Sequence, residues 1–261
     1  MRLIPGYPGR DPIGKTRGYA SFGAEKSLLL HSKKLLYIRK DSLKISGYTI
    51  PVTKITDCPM KESLKLKKSW DRKAPFYEWI RNFPGLSWIL NAENRAVGRL
   101  FEEMSIPEDS KILDIGTGDG NVIELFPEKS RKNIIGLDTN KAMLTRARIK
   151  YPGTHFLQGD SRFLPVQDNS INVVTCIGLS EYIEDLSLLL KEIKRALSAR
   201  GLLLLTISPK SIFTSLRNLT GATVYARSSE EAEKICANQG FEVRKMSRTF
   251  MQVQYLVGIK R

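Results

Sequence analysis

Apolar and polar positions follow two different periods along this chain, and the way they alternate predicts its fold. From residue 110 onward, short apolar runs are followed by segments with helical spacing. The apolar runs are 111–115, 133–138, 154–158, 171–177 and 202–208, and the helical segments are about 121–126, 141–150 and 186–197. Strands that alternate with helices predict a parallel sheet with helices on both faces. The near-continuous apolar character of the runs is typical of strands that are buried on both sides.

The end of the chain departs from this alternation. Residues 228–238 have helical spacing, with Ser228 and Glu231 placed as a capping box and Gly240 placed just after the helix. Residues 241–247 and 251–260 then have the pattern of two successive strands. Because the connection between them is short, we expect these two strands to be antiparallel. The predicted fold is therefore α/β, with a mostly parallel sheet and an antiparallel last strand.

The segment before this alternation has a helical texture. An apolar stripe at helical spacing runs through residues 76–83 and is expected to end at Pro84–Gly85. A second helix is predicted over about 92–104 and is stopped by Pro107. The stripe consists of Phe76, Trp79, Ile80 and Phe83. We therefore expect two helices, within residues 69–107, to precede the first strand of the sheet.

Positive charge is concentrated at the N-terminus. The chain has 261 residues and a formal net charge of +15. Residues 1–68 contain 15 Lys and Arg against 5 Asp and Glu, whereas the remaining residues contain 27 against 22. We therefore separate a basic N-terminal extension, 1–68, partly flexible or folded as a small hairpin within 27–56, from a main domain, 69–261. The extension suits nucleic acid, the surface of an anionic membrane or an acidic partner, or it is a solvated arm.

Composition narrows the class of protein further. Hydrophobic residues make up 41% of the chain, and no run of eighteen or more apolar residues occurs, so we predict a buried core and no transmembrane span. The first residues lack the apolar core of a secretory signal, and the three cysteines are widely spaced without a CxxC pair. These features favour a cytoplasmic protein, with an organelle transit peptide as the open alternative. With only two histidines, no metal site is predicted.

The first strand of the main domain ends in a glycine-rich loop, Asp114-Ile-Gly116-Thr117-Gly118-Asp-Gly120. Ligands of open parallel sheets bind at the carboxyl ends of the strands, and the N-terminus of the predicted next helix would add a positive dipole. A dinucleotide loop has its third glycine five residues after the first, but here the distance is four. An acid before the loop would repel a pyrophosphate, whereas it suits the ammonium group of a methionine moiety.

Two further acids follow the next strands. Asp138, at the end of 133–138, is placed to accept both hydroxyls of a ribose, a feature that serves NAD and S-adenosylmethionine equally. Its alternative role is the N-cap of the helix that begins near Lys141. Asp160, followed by Ser161, is placed to accept a hydrogen bond from an adenine amino group, with a simple turn residue as the alternative.

Taken together, these motifs resemble the class I S-adenosylmethionine-dependent methyltransferases. The stretches that carry the resemblance are ILDIGTGDGN (112–121), IIGLDTN (134–140), FLQGDSRFLPVQDNSINVVTCIGLSEYIED (156–185), LKEIKRALSARGLLLLTIS (190–208) and GFEV (240–243). They cover about residues 110–261 and are closest in texture to the ubiquinone/menaquinone C-methyltransferase branch. The resemblance implies a Rossmann-like sheet of seven strands, in which residues 251–260 are inserted antiparallel to their neighbours, and S-adenosylmethionine as the cofactor.

The resemblance also assigns roles to individual residues. The loop would hold the methionine end, Asp138 the ribose, and Ile177 with Gly178 would border the transferred methyl group. The cofactor-binding residues implied in this way are Asp114, Gly116, Thr117, Gly118, Gly120, Asp138, Thr139, Met143, Asp160, Ser161 and Ile177. Where the family often has a histidine after the fourth strand, this chain has Ser180-Glu181-Tyr182. Candidate bases by position are therefore Tyr182 and Glu181, with Glu184 nearby.

Three functions are compatible with these features. The leading hypothesis is a methyltransferase that acts on a small-molecule or lipid-like acceptor, with the aromatic helices of 69–107 as a lid. A second substrate wall would be formed by Phe213, Leu216 and Leu219. The alternatives are an RNA methyltransferase that uses the basic arm, and a non-catalytic S-adenosylmethionine-binding module. An NAD-dependent oxidoreductase is disfavoured by the glycine spacing.

Overall fold

The computed structural model describes residues 42–45, 48–51, 70–71, 83–218 and 223–260. Strands β1 (Ser42–Ile45) and β2 (Tyr48–Pro51) pair antiparallel, within the segment where the sequence predicts a hairpin. The rest of the basic extension, most of the predicted first helix and Leu219 lie outside the described residues.

The main domain is built on a sheet of seven strands. Its order is β5-β4-β3-β6-β7-β9-β8, and β9 is antiparallel to both of its neighbours while the other pairs are parallel. The strands are β3 (Ile112–Ile115), β4 (Ile134–Asp138), β5 (His155–Gln158), β6 (Ile171–Cys176), β7 (Leu197–Ile207), β8 (Phe241–Arg248) and β9 (Val253–Ile259). The predicted α/β class and the inserted antiparallel strand are therefore confirmed.

Helices cover both faces of this sheet. They are α1 (Pro84–Met104), α2 (Glu128–Arg131), α3 (Lys141–Lys150), α4 (Leu186–Ala196), α5 (Ile212–Arg217) and α6 (Ser229–Asn238). One buried apolar cluster joins α1 and α3 to one face, through side chains such as Leu100 and Leu144. A second cluster joins α4 and α6 to the other face, through side chains such as Ile193 and Cys236. Because both faces are covered, ligands can approach the sheet only at its edges.

Helix α1 begins earlier than the sequence predicts. Pro84 and Gly85 were expected to end a helix, but Pro84 instead occupies the first turn of α1. A proline is favoured there because its ring fixes φ at a helical value. It lacks an N–H, but the N–H groups of the first turn have no partner within a helix, so no hydrogen bond is lost. The buried residues of α1 begin only at Glu93, so the turns before it make no buried contact with the sheet. The predicted end at Met104 is confirmed.

The helix expected over 121–126 is absent. The chain forms only a short 3₁₀ turn, Ile123–Leu125, and the four-residue helix α2. The reason is Pro127, because a residue before proline avoids the helical region and Phe126 is extended, with ψ at 147°. The prediction that a helix dipole supports the glycine loop is therefore wrong. By contrast, the capping box of Ser228 and Glu231 is confirmed at the start of α6.

Among the residues that the structure describes, no helix is long and apolar enough to cross a membrane.

Two glycines offer a matched test of the packing. A Cβ on Gly136, in β4, would lie 2.7 Å from the ring of Phe156 and 2.9 Å from Cγ2 of Thr117, whereas a Cβ on Gly98, in α1, meets nothing within 4 Å. We expect Gly136→Ala to lower the free energy of unfolding by about 1–3 kcal/mol through overpacking. Gly98→Ala should raise it by about 0.4–1 kcal/mol. Urea denaturation measures both, and a neutral Gly136→Ala would contradict the packing described here.

Candidate active site

A pocket opens at the carboxyl edge of the sheet, where the connections after β3, β4, β5 and β6 meet. Its empty space is about 420 Å³, including the part that is open to solvent. It is lined by Gly116, Leu137, Asp138, Thr139, Gly159, Asp160, Ser161, Arg162, Leu179, Tyr182 and Ile183. Five of the residues predicted to bind the cofactor therefore share one cavity, together with one of the two candidate bases.

The glycine loop after β3 has a backbone that only glycine adopts readily. Gly116, Gly118 and Gly120 have φ values of +75°, +56° and +87°. A Cβ on Gly116 would lie 2.8 Å from Cβ of Leu179, so a side chain there would also collide with the opposite wall. The backbone N–H groups of Gly116 and Thr117 both donate to the carbonyl oxygen of Leu137, at 2.7 and 3.1 Å. These bonds fix the loop against the end of β4.

Asp114 lies buried at the end of β3. One carboxylate oxygen accepts a hydrogen bond of 2.6 Å from the hydroxyl of Thr175. The other, Oδ2, is buried and has no hydrogen-bond partner among the described residues. Burial raises the pKa of Asp114 to about 6, against the opposing effect of the Thr175 hydroxyl. A buried carboxylate with an unpaired oxygen is well suited to a cationic ligand group, as the sequence predicts for the ammonium of a methionine moiety.

Asp138 ties the glycine loop to the next connection. Its Oδ2 accepts from the backbone N–H of Gly118 at 2.9 Å, and its Oδ1 accepts from that of Asn140 at 2.8 Å. Burial raises the pKa of Asp138, although these N–H groups oppose the shift. A carboxylate offers about four acceptor positions, so these N–H groups leave acceptor capacity for a ribose hydroxyl. The alternative role is wrong, because Asn140, rather than Asp138, caps α3 by accepting from the N–H of Met143.

Asp160 has a partner that sequence analysis missed. The guanidinium of Arg162 donates to Oδ1 of Asp160 through Nε at 3.1 Å and to Oδ2 through Nη2 at 2.9 Å. Arg162 is buried and lines the pocket beside Ser161. The only signal in the sequence is an opposite charge two residues after the acid, a spacing that is common in turns. The pair holds the Asp160 carboxylate in one orientation at the wall assigned to the adenine.

The 3₁₀ turn Ser180–Tyr182, after β6, carries both candidate bases. The carboxylate of Glu181 is buried and accepts hydrogen bonds from Ser208 and Arg217. The hydroxyl of Tyr182 accepts from Nη2 of Arg217 at 2.9 Å, and the guanidinium carbon lies 5.9 Å from the centre of the tyrosine ring. Burial alone would lower the pKa of Arg217, but the charges and hydrogen bonds of Glu181 and Tyr182 together outweigh burial, and the pKa is raised. Trp70 packs edge-on against Tyr182, with ring centres 5.6 Å apart.

A second arginine holds the same loop from the other side. Arg227 is buried, and its guanidinium donates to the carbonyl oxygens of Ser180, Ile183 and Glu184 at 3.2, 2.6 and 2.7 Å. Arg217 and Arg227 both lie after β7, more than thirty residues from their partners, so no local spacing could reveal them. Together they fix the backbone that carries Tyr182 into the pocket.

The remaining predicted residues border the pocket or lie near it. Thr139 lines it, and Met143 is buried below the loop, with its terminal methyl 3.5 Å from a Cβ placed on Gly118. Ile177 is half-buried after β6, and the N–H of Gly178 donates to the hydroxyl of Thr206 at 2.8 Å. Within the described part of the chain, no group of three His, Cys, Asp or Glu could hold a metal ion.

Comparison with known proteins relates part of the chain to a known domain. Residues 113–205 match the family model of the methyltransferase domain. Over this stretch the chain is similar to the members of that family. This match confirms the predicted class, whose methyl donor is S-adenosylmethionine, and it spans the strands β3, β4, β5 and β6, the carboxyl ends of which form the pocket.

Curated relatives of the methyltransferase domain include enzymes of quinone synthesis. The chain is 30% identical over 146 residues to the demethylmenaquinone methyltransferase of Chlorobaculum tepidum. The matched stretch covers 54% of this chain and 58% of the relative. It is 26% identical over 151 residues to the ubiquinone/menaquinone biosynthesis C-methyltransferase of Campylobacter jejuni, which covers 55% of this chain and 63% of the relative. The matches therefore span less than two thirds of the relatives' own length.

Solved structures share the fold of the methyltransferase domain. The magnesium protoporphyrin IX methyltransferase of Synechocystis with bound SAH superimposes with a TM-score of 0.60 at 18% identity, and covers 76% of this chain and 100% of that chain. A possible histamine N-methyltransferase from Thermotoga maritima gives a TM-score of 0.58 at 20% identity, over 75% of this chain and 100% of that chain. At these identities the likeness concerns the fold alone.

The buried charge of Asp114 predicts opposite effects on stability and binding. Because its pKa is raised from 3.8 to about 6, ionisation destabilises the folded methyltransferase domain as the pH rises through that interval. At neutral pH, Asp114→Asn should therefore raise the free energy of unfolding by about 1–3 kcal/mol, while it weakens binding of S-adenosylhomocysteine.

Thermal unfolding and calorimetric titration measure the two effects. In the unsubstituted protein, affinity for S-adenosylhomocysteine should fall as the pH is lowered through about 6, because a protonated carboxyl cannot pair with an ammonium group. The Asn variant should lack this pH dependence. Equal affinity of the two proteins at neutral pH would rule out the ammonium assignment.

Proposed function

We propose that this protein is an S-adenosylmethionine-dependent methyltransferase that acts on a small, apolar, quinone-like acceptor. The observation that carries the proposal is the convergence, at one edge of the sheet, of an acid suited to each polar part of the cofactor. Asp138 and Asp160 line the cavity, and Asp138 has spare acceptor capacity. Asp114 lies buried at the end of β3, just before the glycine loop, with one oxygen that accepts no hydrogen bond. The match to the methyltransferase domain supports this assignment independently.

The residues would bind the cofactor from one end to the other. Asp114 pairs with the ammonium group, and the turn at Gly116 and Gly118 leaves space for the methionine portion. Asp138 accepts from the ribose hydroxyls, and Asp160, oriented by Arg162, accepts from the adenine amino group. Thr117, Gly120, Thr139, Met143, Ser161 and Ile177 complete this proposed site through the shape of the loop and the pocket wall.

The chemistry of transfer depends mainly on position. When bound, the cofactor supplies an electrophilic methyl group on sulfur, so the protein needs only to align a nucleophile and to exclude water. Leu179 and Ile183 give the pocket an apolar wall on the side of the β6 connection. This wall favours a flat apolar acceptor over a charged one.

Of the two candidate bases, Tyr182 is placed to touch the acceptor. Its side chain lines the pocket, whereas the Glu181 carboxylate is turned away and bound by Arg217 and Ser208. The N–H that Arg217 donates to the tyrosine oxygen stabilises negative charge on that oxygen. As its phenolate, Tyr182 can therefore accept a hydrogen bond from a hydroxyl of the acceptor and take up that proton while the neighbouring ring carbon bonds to the methyl group released from sulfur. The proton that this ring carbon carried is then lost to solvent, which restores the aromatic ring. Glu181 acts through Arg217, as a positioning residue.

The identity of the acceptor class also draws on the relatives. Their names specify demethylmenaquinone and the ubiquinone/menaquinone pathway, both of which involve an aromatic ring with an apolar tail. The ring of Tyr182, which lines the pocket and packs edge-on against Trp70, offers an aromatic contact for such a ring. No contact among the described residues favours RNA or a non-catalytic role, since most of the basic extension lies outside them.

Calorimetric titration of the full chain with S-adenosylhomocysteine tests the cofactor assignment. We expect micromolar binding and no binding of NADH. Asp138→Ala should abolish it, because the change removes the ribose acceptor and also frees the N–H of Gly118. The exposed Asp109→Ala serves as the matched control and should bind as the unsubstituted protein does. Retained affinity in Asp138→Ala would contradict the ribose assignment.

The role of Tyr182 is tested with the removal of a single oxygen. With short-tailed demethylmenaquinone kept in its reduced quinol form as the acceptor, Tyr182→Phe should lower kcat by about 10²–10⁴-fold and leave affinity for S-adenosylhomocysteine unchanged. Tyr225→Phe is the control, because the hydroxyl of Tyr225 is bonded to Glu184, next to the turn of Tyr182, but Tyr225 does not line the pocket. If both variants retain full kcat, the proton is transferred by another group.

A further inference from the structure

The outer side of α5 carries an exposed apolar surface. Its members are Ile212, Phe213 and Leu216 of α5, and Phe250 of the connection between β8 and β9; we call them the α5 surface. They are 78%, 49%, 53% and 52% exposed. The rings of Phe213 and Phe250 pack against each other with centres 4.5 Å apart, so the two segments form one continuous patch. Clustered exposed side chains of this size are unusual unless they bind something.

Helix α5 has a second side that faces the pocket. Arg217 reaches inward to Glu181 and Tyr182, and Thr214 is buried, with its hydroxyl bonded to the carbonyl oxygen of Pro209. The same short helix therefore joins the proposed acceptor-binding tyrosine on its inner side to the apolar patch on its outer side.

The patch also lies at the edge of the sheet where the acceptor must enter. Val253 pairs with Ile207, so the turn that carries Phe250 is next to the carboxyl end of β7. From that turn, the side-chain nitrogen of Gln252 comes within 4.0 Å of a Cβ placed on Gly178, which borders the proposed site of methyl transfer. An apolar molecule that leaves the α5 surface has only this short distance to cover.

The two segments that supply the patch carry only positive charges of their own. Neither residues 197–228 nor residues 243–260, which supply all of its members, contain an Asp or Glu. They contribute exposed cations, among them Lys210, Arg244 and Arg248. Lys210 is paired with Glu231, Arg248 ends the edge strand β8 beside the turn of Phe250, and Arg244 lies further along the same strand. Apolar side chains flanked by cations are complementary to an anionic lipid surface.

We propose that the α5 surface docks on an anionic lipid bilayer and takes the apolar acceptor directly from it. This inference rests on the proposed function, since it supplies the source of a lipid-like acceptor. RNA fits the α5 surface less well than a bilayer does. Nucleic-acid bases stack on aromatic rings, but half of the exposed side chains here, Ile212 and Leu216, are aliphatic. The bilayer accommodates aliphatic and aromatic side chains alike.

The test is cosedimentation of the full chain with vesicles of phosphatidylcholine, with or without phosphatidylglycerol. Ile212→Gln combined with Phe213→Gln should weaken binding to the mixed vesicles by at least about tenfold, because two apolar side chains lose their burial in lipid. Ile149→Gln is the matched control, since Ile149 on α3 is 77% exposed, as Ile212 is at 78%, but lies away from the patch. It should bind as the unsubstituted protein does.

Three results would overturn the proposal. The first is that the unsubstituted chain does not bind the mixed vesicles. The second is that the double variant binds them as well as the unsubstituted chain does at high salt, where charge attraction by the basic extension is screened. The third is a dimer in solution that the double variant converts to a monomer, which would assign the patch to a second copy of the chain. Titration with S-adenosylhomocysteine should be unchanged in every variant, so a failure of the cofactor site appears separately from a failure of docking.

Discussion

The site depends on the way the glycine loop is fastened to the neighbouring strand. Two backbone N–H groups of the loop donate to Leu137, and the carboxylate of Asp138 receives a third from Gly118. These bonds join β3 and β4 at the edge where the pocket opens, in a conformation that three glycines with positive φ permit. The functional carboxylate of β4 is therefore also a structural one, so its position and the shape of the loop are set together.

A second pair of constraints fixes the opposite wall. Arg217 and Arg227 bind the turn after β6 from two sides, one through the side chains of Glu181 and Tyr182 and the other through backbone carbonyls. Buried arginines are costly unless their donors are satisfied, and here carboxylate, phenol and carbonyl oxygens accept from them. The acceptor side of the pocket is thus held by arginine side chains from beyond β7, whereas the cofactor side is held by backbone N–H bonds between the neighbouring strands β3 and β4.

This difference explains how much the sequence could predict. Strands, the antiparallel insertion, the glycine loop and Asp138 follow from apolar periods and local spacing, and the strand predictions are correct to within a residue or two, except that β7 begins at Leu197. The helix after the loop was predicted wrongly, because the effect of Pro127 on Phe126 outweighs helical spacing. Arg217 and Arg227 were missed, since their partners are set by tertiary contacts that one sequence does not display. Arg162 was missed because an opposite charge two residues after an acid is common in turns. The N-cap of α3 was assigned to Asp138, but Asn140 takes that role. Both are polar residues before the same helix, so their side-chain chemistry alone does not tell them apart.

The place of β9 in the sheet bears on how the protein is made. β9 is the last strand in the chain order, yet it lies between β7 and β8 and covers the edge of β7 from Leu202 to Ile207. During synthesis, that edge is an apolar strand with unpaired backbone groups until residues 253–259 have left the ribosome. Between the synthesis of β7 and that of β9, about fifty residues later, the edge of β7 is therefore open. Open edges of this kind can pair with strands of other chains. This interval of exposure follows from the sheet order, in which the strand made last lies inside the sheet.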